Sequence, residues 1–221
     1  MNIWIYLLAG VGGIMLVGVA CLFLVLVVFW MKGVSLYFLW ALVVYASAVE
    51  VSDLIKKRTQ LEKSCRFFQK ASKKSPSGNG VIWYYWGNVL GDLAELETGR
   101  EKRRYILEAA CVRYEEAVSH DKGRPYIFNS FGYCLMTLAG VQDDPNSKRA
   151  LMEKAALQFE KAEKGDAETK SIALYYLGWA LAKQAELESD PERKRTLLEQ
   201  ARDRYEKAAA ADSDNKDILR G

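Results

Sequence analysis

Residues 171–208 read SIALYYLGWALAKQAELESDPERKRTLLEQARDRYEKA. A run with apolar residues at helical spacing breaks at Asp190-Pro191, and a second helical run returns after it. The same unit recurs upstream. Gly87, Gly132 and Gly178 lie 45 and 46 residues apart, as do Ala110, Ala155 and Ala201, and Tyr114, Phe159 and Tyr205. Three markers sharing one period describe an array of supersecondary units, each unable to bury its apolar face alone. The sequence therefore predicts an all-α chain of stacked helix pairs.

The pattern inside each unit carries a family resemblance. The second helices hold Ala, an aromatic residue four on and Ala three further: Ala110, Tyr114, Ala117, then Ala155, Phe159, Ala162, then Ala201, Tyr205, Ala208. The first helices hold Trp83, Trp86, Gly87, Leu90, then Phe128, Phe131, Gly132, Leu135, then Leu174, Leu177, Gly178, Leu181. This resembles the tetratricopeptide repeat, over roughly residues 53–211. The period departs from the family's usual value of about 34. Each Gly precedes its Ala by the same 23 residues, so the extra length is constant and falls at the turn within each pair. About eleven added residues make close to three helical turns, which lengthens both arms without rotating their apolar faces. Asp144-Pro145 and Asp190-Pro191 supply a capping carboxylate followed by Pro at the first helical position, and Thr98 with Glu101 reads as a capping box.

The N-terminal quarter is different. From Ile3 to Met31 there is no charged residue, and about 20 apolar residues span a bilayer. A transmembrane helix is expected over 3–31, with Trp4, Tyr6 and Trp30 at the interfaces. A second apolar run covers 34–51. Two readings stay open for it: a second membrane helix completing a hairpin, or the first helix of an earlier repeat whose partner carries Ser64, Phe68 and Ala71. One period back from Gly87 falls at Leu42. The expected division is a membrane anchor over 1–52 and a helical repeat domain over 53–221. Lys56, Lys57 and Arg58, with Lys63, follow the apolar region closely enough to bias the repeats toward the cytosol, or a matrix or stroma equivalent. They also suit contact with anionic headgroups.

Composition removes several function classes. Beyond residue 52 there are 30 basic and 27 acidic residues, spread along amphipathic helices rather than gathered in a stripe, so nucleic acid is not an expected partner. His120 is the single histidine, which leaves little for histidine-based metal or nucleophilic chemistry. No enzyme activity, metal or cofactor is expected. The four cysteines lack paired spacing and read as reduced, buried thiols.

What the tetratricopeptide resemblance implies is protein binding on the concave wall formed by the first helices. The family's inward positions correspond here to Tyr84, Asn88 and Asp92, to Asn129, Tyr133 and Thr137, and to Tyr175, Trp179 and Lys183, with Tyr126 and Met136 beside them. Such a groove suits an extended peptide segment or a partner helix. The family's clamp for a chaperone's C-terminal carboxylate is not expected, because Tyr84 and Tyr175 stand where its Lys and Arg would be. The expected function is a membrane-anchored adaptor or receptor. The alternative is a permanent structural subunit, or scaffold for assembly, of a membrane complex.

Overall fold

A computed structural model describes residues 35–74, 80–121 and 123–218, with side chains through Ala211. The described residues form eight α-helices and no strand: α1 (Leu36–Val49), α2 (Leu54–Lys74), α3 (Gly80–Glu95), α4 (Arg100–His120), α5 (Pro125–Val141), α6 (Pro145–Ala162), α7 (Ala167–Glu186) and α8 (Pro191–Ile218). Each odd-numbered helix packs most heavily on the even-numbered helix after it, giving four antiparallel hairpins stacked as a solenoid. Consecutive first helices (α1, α3, α5, α7) also touch one another. They form one continuous wall.

The repeat markers explain the packing. A Cβ placed on Gly132 would lie 2.7 Å from the Phe159 ring, one on Gly87 3.0 Å from the Tyr114 ring, and one on Gly178 3.2 Å from the Tyr205 ring. In each pair, then, the bare first-helix backbone receives the second-helix aromatic. The aromatic also reaches forward: Tyr114 stacks on Phe131 of the next first helix at 6.0 Å, and Phe159 stacks on Tyr176 at 5.7 Å. One ring thus joins the two helices of its own pair to the pair that follows. Ala110, Ala155 and Ala117 are fully buried where the helices approach closest.

The turns are held as well as capped. Asp144 is the N-cap of α6, accepting from the Asn146 and Ser147 amides ahead of Pro145, and Asp190 accepts from the Glu192 amide at the start of α8. The expected capping box at Thr98 and Glu101 is not formed. Helix α4 begins one residue later than that reading requires, with Gly99 as N-cap and no side-chain cap. Glu97 turns back instead to accept from the Gly99 amide.

The apolar run at 34–51 resolves into α1, and its place in the array is that of a repeat helix. Its 14 residues reach about 21 Å at 1.5 Å per residue, short of a hydrocarbon core about 30 Å thick. No helix among the described residues is long and apolar enough to cross a membrane. Phe38, Ala41 and Ala48 share one core with Leu61 and Phe68 of α2 and Ile82 and Trp86 of α3. The boundary expected at 52/53 therefore passes between two helices of one hairpin. The small buried residue of α1 nearest the expected repeat position is Ala41, 46 residues before Gly87, rather than Leu42; Ser64 donates to the Ala41 carbonyl at 2.9 Å in the buried seam. The expected membrane helix at 3–31 lies outside the described residues.

Candidate binding groove

A cavity of about 610 Å³ opens on the wall of first helices. Helix α1 contributes Tyr45, α3 contributes Asn88, Asp92 and Glu95, α5 contributes Tyr126, Asn129, Ser130 and Tyr133, and α7 contributes Glu168, Thr169, Ile172 and Tyr176. On α3 the lining residues follow Gly87, on α5 they straddle Gly132, and on α7 they all precede Gly178. The groove therefore runs obliquely across the wall, from the C-terminal half of α3 to the N-terminal half of α7.

That obliqueness decides which expected residues meet. Asn88, Asp92, Tyr126, Asn129 and Tyr133 line the cavity together, with Thr137 at the far end of the α5 row. Tyr84 stands directly behind them, its ring edge-to-face with Tyr126 at 5.0 Å. Met136 is not among the residues lining the groove; it is buried in the core that also holds Leu107, Cys111 and Phe159. Tyr175 packs instead on Tyr205 of α8, at 5.6 Å. Trp179 and Lys183 lie further along α7 with the Lys183 ammonium 5.6 Å from the Trp179 ring and 2.7 Å from Glu186. The α7 ring that lines the cavity is that of Tyr176, next in sequence to Tyr175. One residue is about 100° around a helix, enough to exchange one wall for another.

The polar groups are tied into the wall. Tyr114 donates to Asn88 Oδ1 at 2.7 Å, Asn129 Nδ2 donates to the Thr169 carbonyl at 2.9 Å, and Thr137 donates to the Tyr133 carbonyl at 2.9 Å. The Tyr45 hydroxyl stands beside the Asp92 carboxylate. Burial raises the Asp92 carboxyl above its ordinary range, the nearby Glu95 adds to this, and the Tyr45 hydroxyl with the charge of Lys57 opposes it. Burial likewise raises Tyr45, with the Asp92 charge second. These are preorganised side chains. Tyr45 and Glu168 were not apparent as lining residues from the sequence, although Tyr45 stands four residues after Ala41 as Gly91 stands four after Gly87.

The basic residues after α1 have separate fates. Lys56 is exposed, 3.9 Å from Asp53. Lys57 is half-buried and acts on Asp92. Arg58 is not a free cation, because it bonds Glu97 at 3.0 Å and the Leu96 carbonyl at 2.8 Å. Nothing among the described residues groups three or more potential metal-ligating side chains.

The architecture and groove define a class, an all-α array of stacked helical hairpins with a polar and aromatic inner wall. No protein-family model and no curated protein sequence matches the chain.

Proposed function

We propose that this chain is a membrane-anchored adaptor of tetratricopeptide type that holds a segment of a partner protein in the groove between α1 and α7. The observation carrying this reading is the groove itself. Five tyrosines and two asparagines line one cavity on the wall of first helices, and rings of this kind supply contact area at little entropic cost while amides pair with a peptide backbone. Anchoring rests on the uncharged stretch from Ile3 to Met31, and Lys56 and Lys63 orient the array toward the cytosol or its matrix or stroma equivalent.

A second reading has its own support. The outer face of α1 leaves Leu36, Trp40 and Val43 exposed, each more than half uncovered. A permanent subunit of a membrane complex would bury that face against its neighbours.

Photo-crosslinking in native membranes separates the two. A photoreactive residue at Tyr133 samples the groove, one at Trp40 samples the α1 face, and one at Arg202, exposed on α8, is the control. One protein captured from Tyr133 and not from Arg202 supports the adaptor. Membrane subunits captured from Trp40, with nothing specific at Tyr133, favour the built-in subunit and refute groove binding.

A further inference from the structure

Resting on the groove-binding reading, we infer that the bound segment presents a cationic side chain, Lys or Arg, to the acidic rim that Asp92, Glu95 and Glu168 form across the cavity. Three properties of the cavity carry this.

The first is charge. Its lining holds Asp92 and Glu95 from α3 and Glu168 from α7, and no Lys, Arg or His among the described residues. This contrasts with a chain whose net charge is +3. Two cations beside lining residues are engaged or set back: Arg124 contacts Asp121 at 2.6 Å and the Tyr126 hydroxyl at 3.0 Å, and Lys57 acts on Asp92 only through its field. Three carboxylates from two helices thus lack a cation of their own among the residues lining the cavity.

The second is the balance of donors and acceptors. An ionised carboxylate offers about four acceptor sites, and the Tyr45 hydroxyl is the neighbour that acts on that of Asp92. Asn129 spends its amide on the Thr169 carbonyl, while its Oδ1 is buried without a protein partner. Asn88 Oδ1 is taken by Tyr114. The cavity therefore offers the Asn129 Oδ1 and the carboxylates as acceptors to a ligand that brings N–H groups. An apolar segment would desolvate the carboxylates without replacing their water. A carboxylate would face like charge.

The third is the aromatic lining. Tyr45, Tyr114, Tyr126, Tyr133 and Tyr176 surround the space, and ring faces attract ammonium and guanidinium groups. The chain uses the same chemistry internally, with the Arg113 guanidinium 4.1 Å from the Trp86 ring. A cavity of about 610 Å³ accommodates one long side chain with its flanking backbone, rather than a whole helix.

The test uses the full chain purified in mild detergent and immobilised pools of degenerate dodecapeptides, each pool having one fixed central residue: Lys, Arg, Leu or Glu. The Lys or Arg pools are expected to retain about tenfold more protein than the Leu or Glu pools, and the advantage is expected to fall about tenfold in an Asp92→Asn, Glu168→Gln double variant. Both substitutions keep side-chain volume, and an unchanged thermal unfolding curve separates lost binding from lost folding. Equal or greater retention on Leu or Glu pools, lost on Tyr133→Arg substitution, overturns the cation inference and leaves the groove reading standing. Retention by no pool, or retention indifferent to Tyr133→Arg, overturns both.

Discussion

Arg149 and Glu188 meet at 3.5 Å although 39 residues apart, and Arg58 and Glu97, also 39 apart, meet at 3.0 Å in the same relation two repeats earlier. Each arginine stands near the start of a second helix and reaches the turn that closes the next hairpin. Its second nitrogen bonds the carbonyl just before the glutamate, Leu187 or Leu96. A basic residue from the following helix, Arg193 or Lys102, completes the set. The middle repeat has Gln142 where the glutamate would be. There Arg104 pairs with Glu108 instead, and Arg100 takes the Val141 and Gln142 carbonyls and Asp143. These contacts fasten the long turns to the preceding repeat, and they explain how arms of this length are kept from splaying.

The Glu97 contact makes stability depend on pH with a definite sign. Hydrogen bonds from Lys102 and then Arg58 hold its carboxyl down at about 2, from an ordinary 4.5. A carboxyl depressed in the folded state stabilises fully above the unfolded value, and that contribution disappears as pH falls from about 4.5 to about 2. Urea midpoints measured at about pH 5 and about pH 3 should differ less in a Glu97→Gln variant than in the parent. Identical differences in the two proteins would mean that the contact does not couple to folding.

Gly132→Ala and Gly140→Ala should move stability in opposite directions. At Gly132 the added methyl meets the Phe159 ring at 2.7 Å; at Gly140 it meets nothing within 4 Å. Overpacking costs about 1–3 kcal/mol, against a gain of about 1 kcal/mol in helix propensity. Gly132→Ala is expected to destabilise by up to about 2 kcal/mol, and Gly140→Ala to stabilise by up to about 1 kcal/mol. Adding Phe159→Leu should lessen the penalty of Gly132→Ala. Simple additivity in a double-mutant cycle would contradict the packing account.

The place of α1 predicts where the chain tolerates truncation. A fragment beginning at Ser52 uncovers Phe68 and Leu61, both fully buried in the intact array. Each is worth about 1.5–3 kcal/mol of burial. A fragment beginning at Ser35 keeps their cover. The longer fragment should be monodisperse with a clearly higher urea midpoint. Equal midpoints would show that α1 contributes nothing to the array.

The described thiols should resist alkylation in the folded protein. Burial pushes Cys65 up to about 12. Cys134, with its sulfur 3.2 Å from that of Cys111 in the core, is raised well above the ordinary thiol range by that contact and by burial. The thiolate is the reactive species. Peptide mapping after iodoacetamide treatment at about pH 8 should find Cys65, Cys111 and Cys134 unmodified until denaturant is added. Rapid labelling of Cys111 or Cys134 in the native protein would show an opening of the α4–α5 seam.

The sequence by itself determined the helix pairs, because Gly87 with Tyr114 and Gly132 with Phe159 are local steric needs repeated at one period. A one-dimensional array exposes such needs directly. The N-caps at Asp144 and Asp190 were legible for the same reason, each being settled within three residues of chain. The tertiary structure alone decided whether the run at 34–51 serves a bilayer or a repeat. Leucines, valines and aromatic rings suit lipid and a protein core equally, and only the burial of Phe38 and Ala41 against Phe68 distinguishes them. It also decided the groove. Tyr175 and Tyr176 are neighbours in sequence, and which one faces the cavity depends on how each first helix is set against the last, an angle summed over all the hairpins before it. The contacts of Arg58 and Arg149 with their distant glutamates belong to the same class. They exist only once separate repeats have stacked.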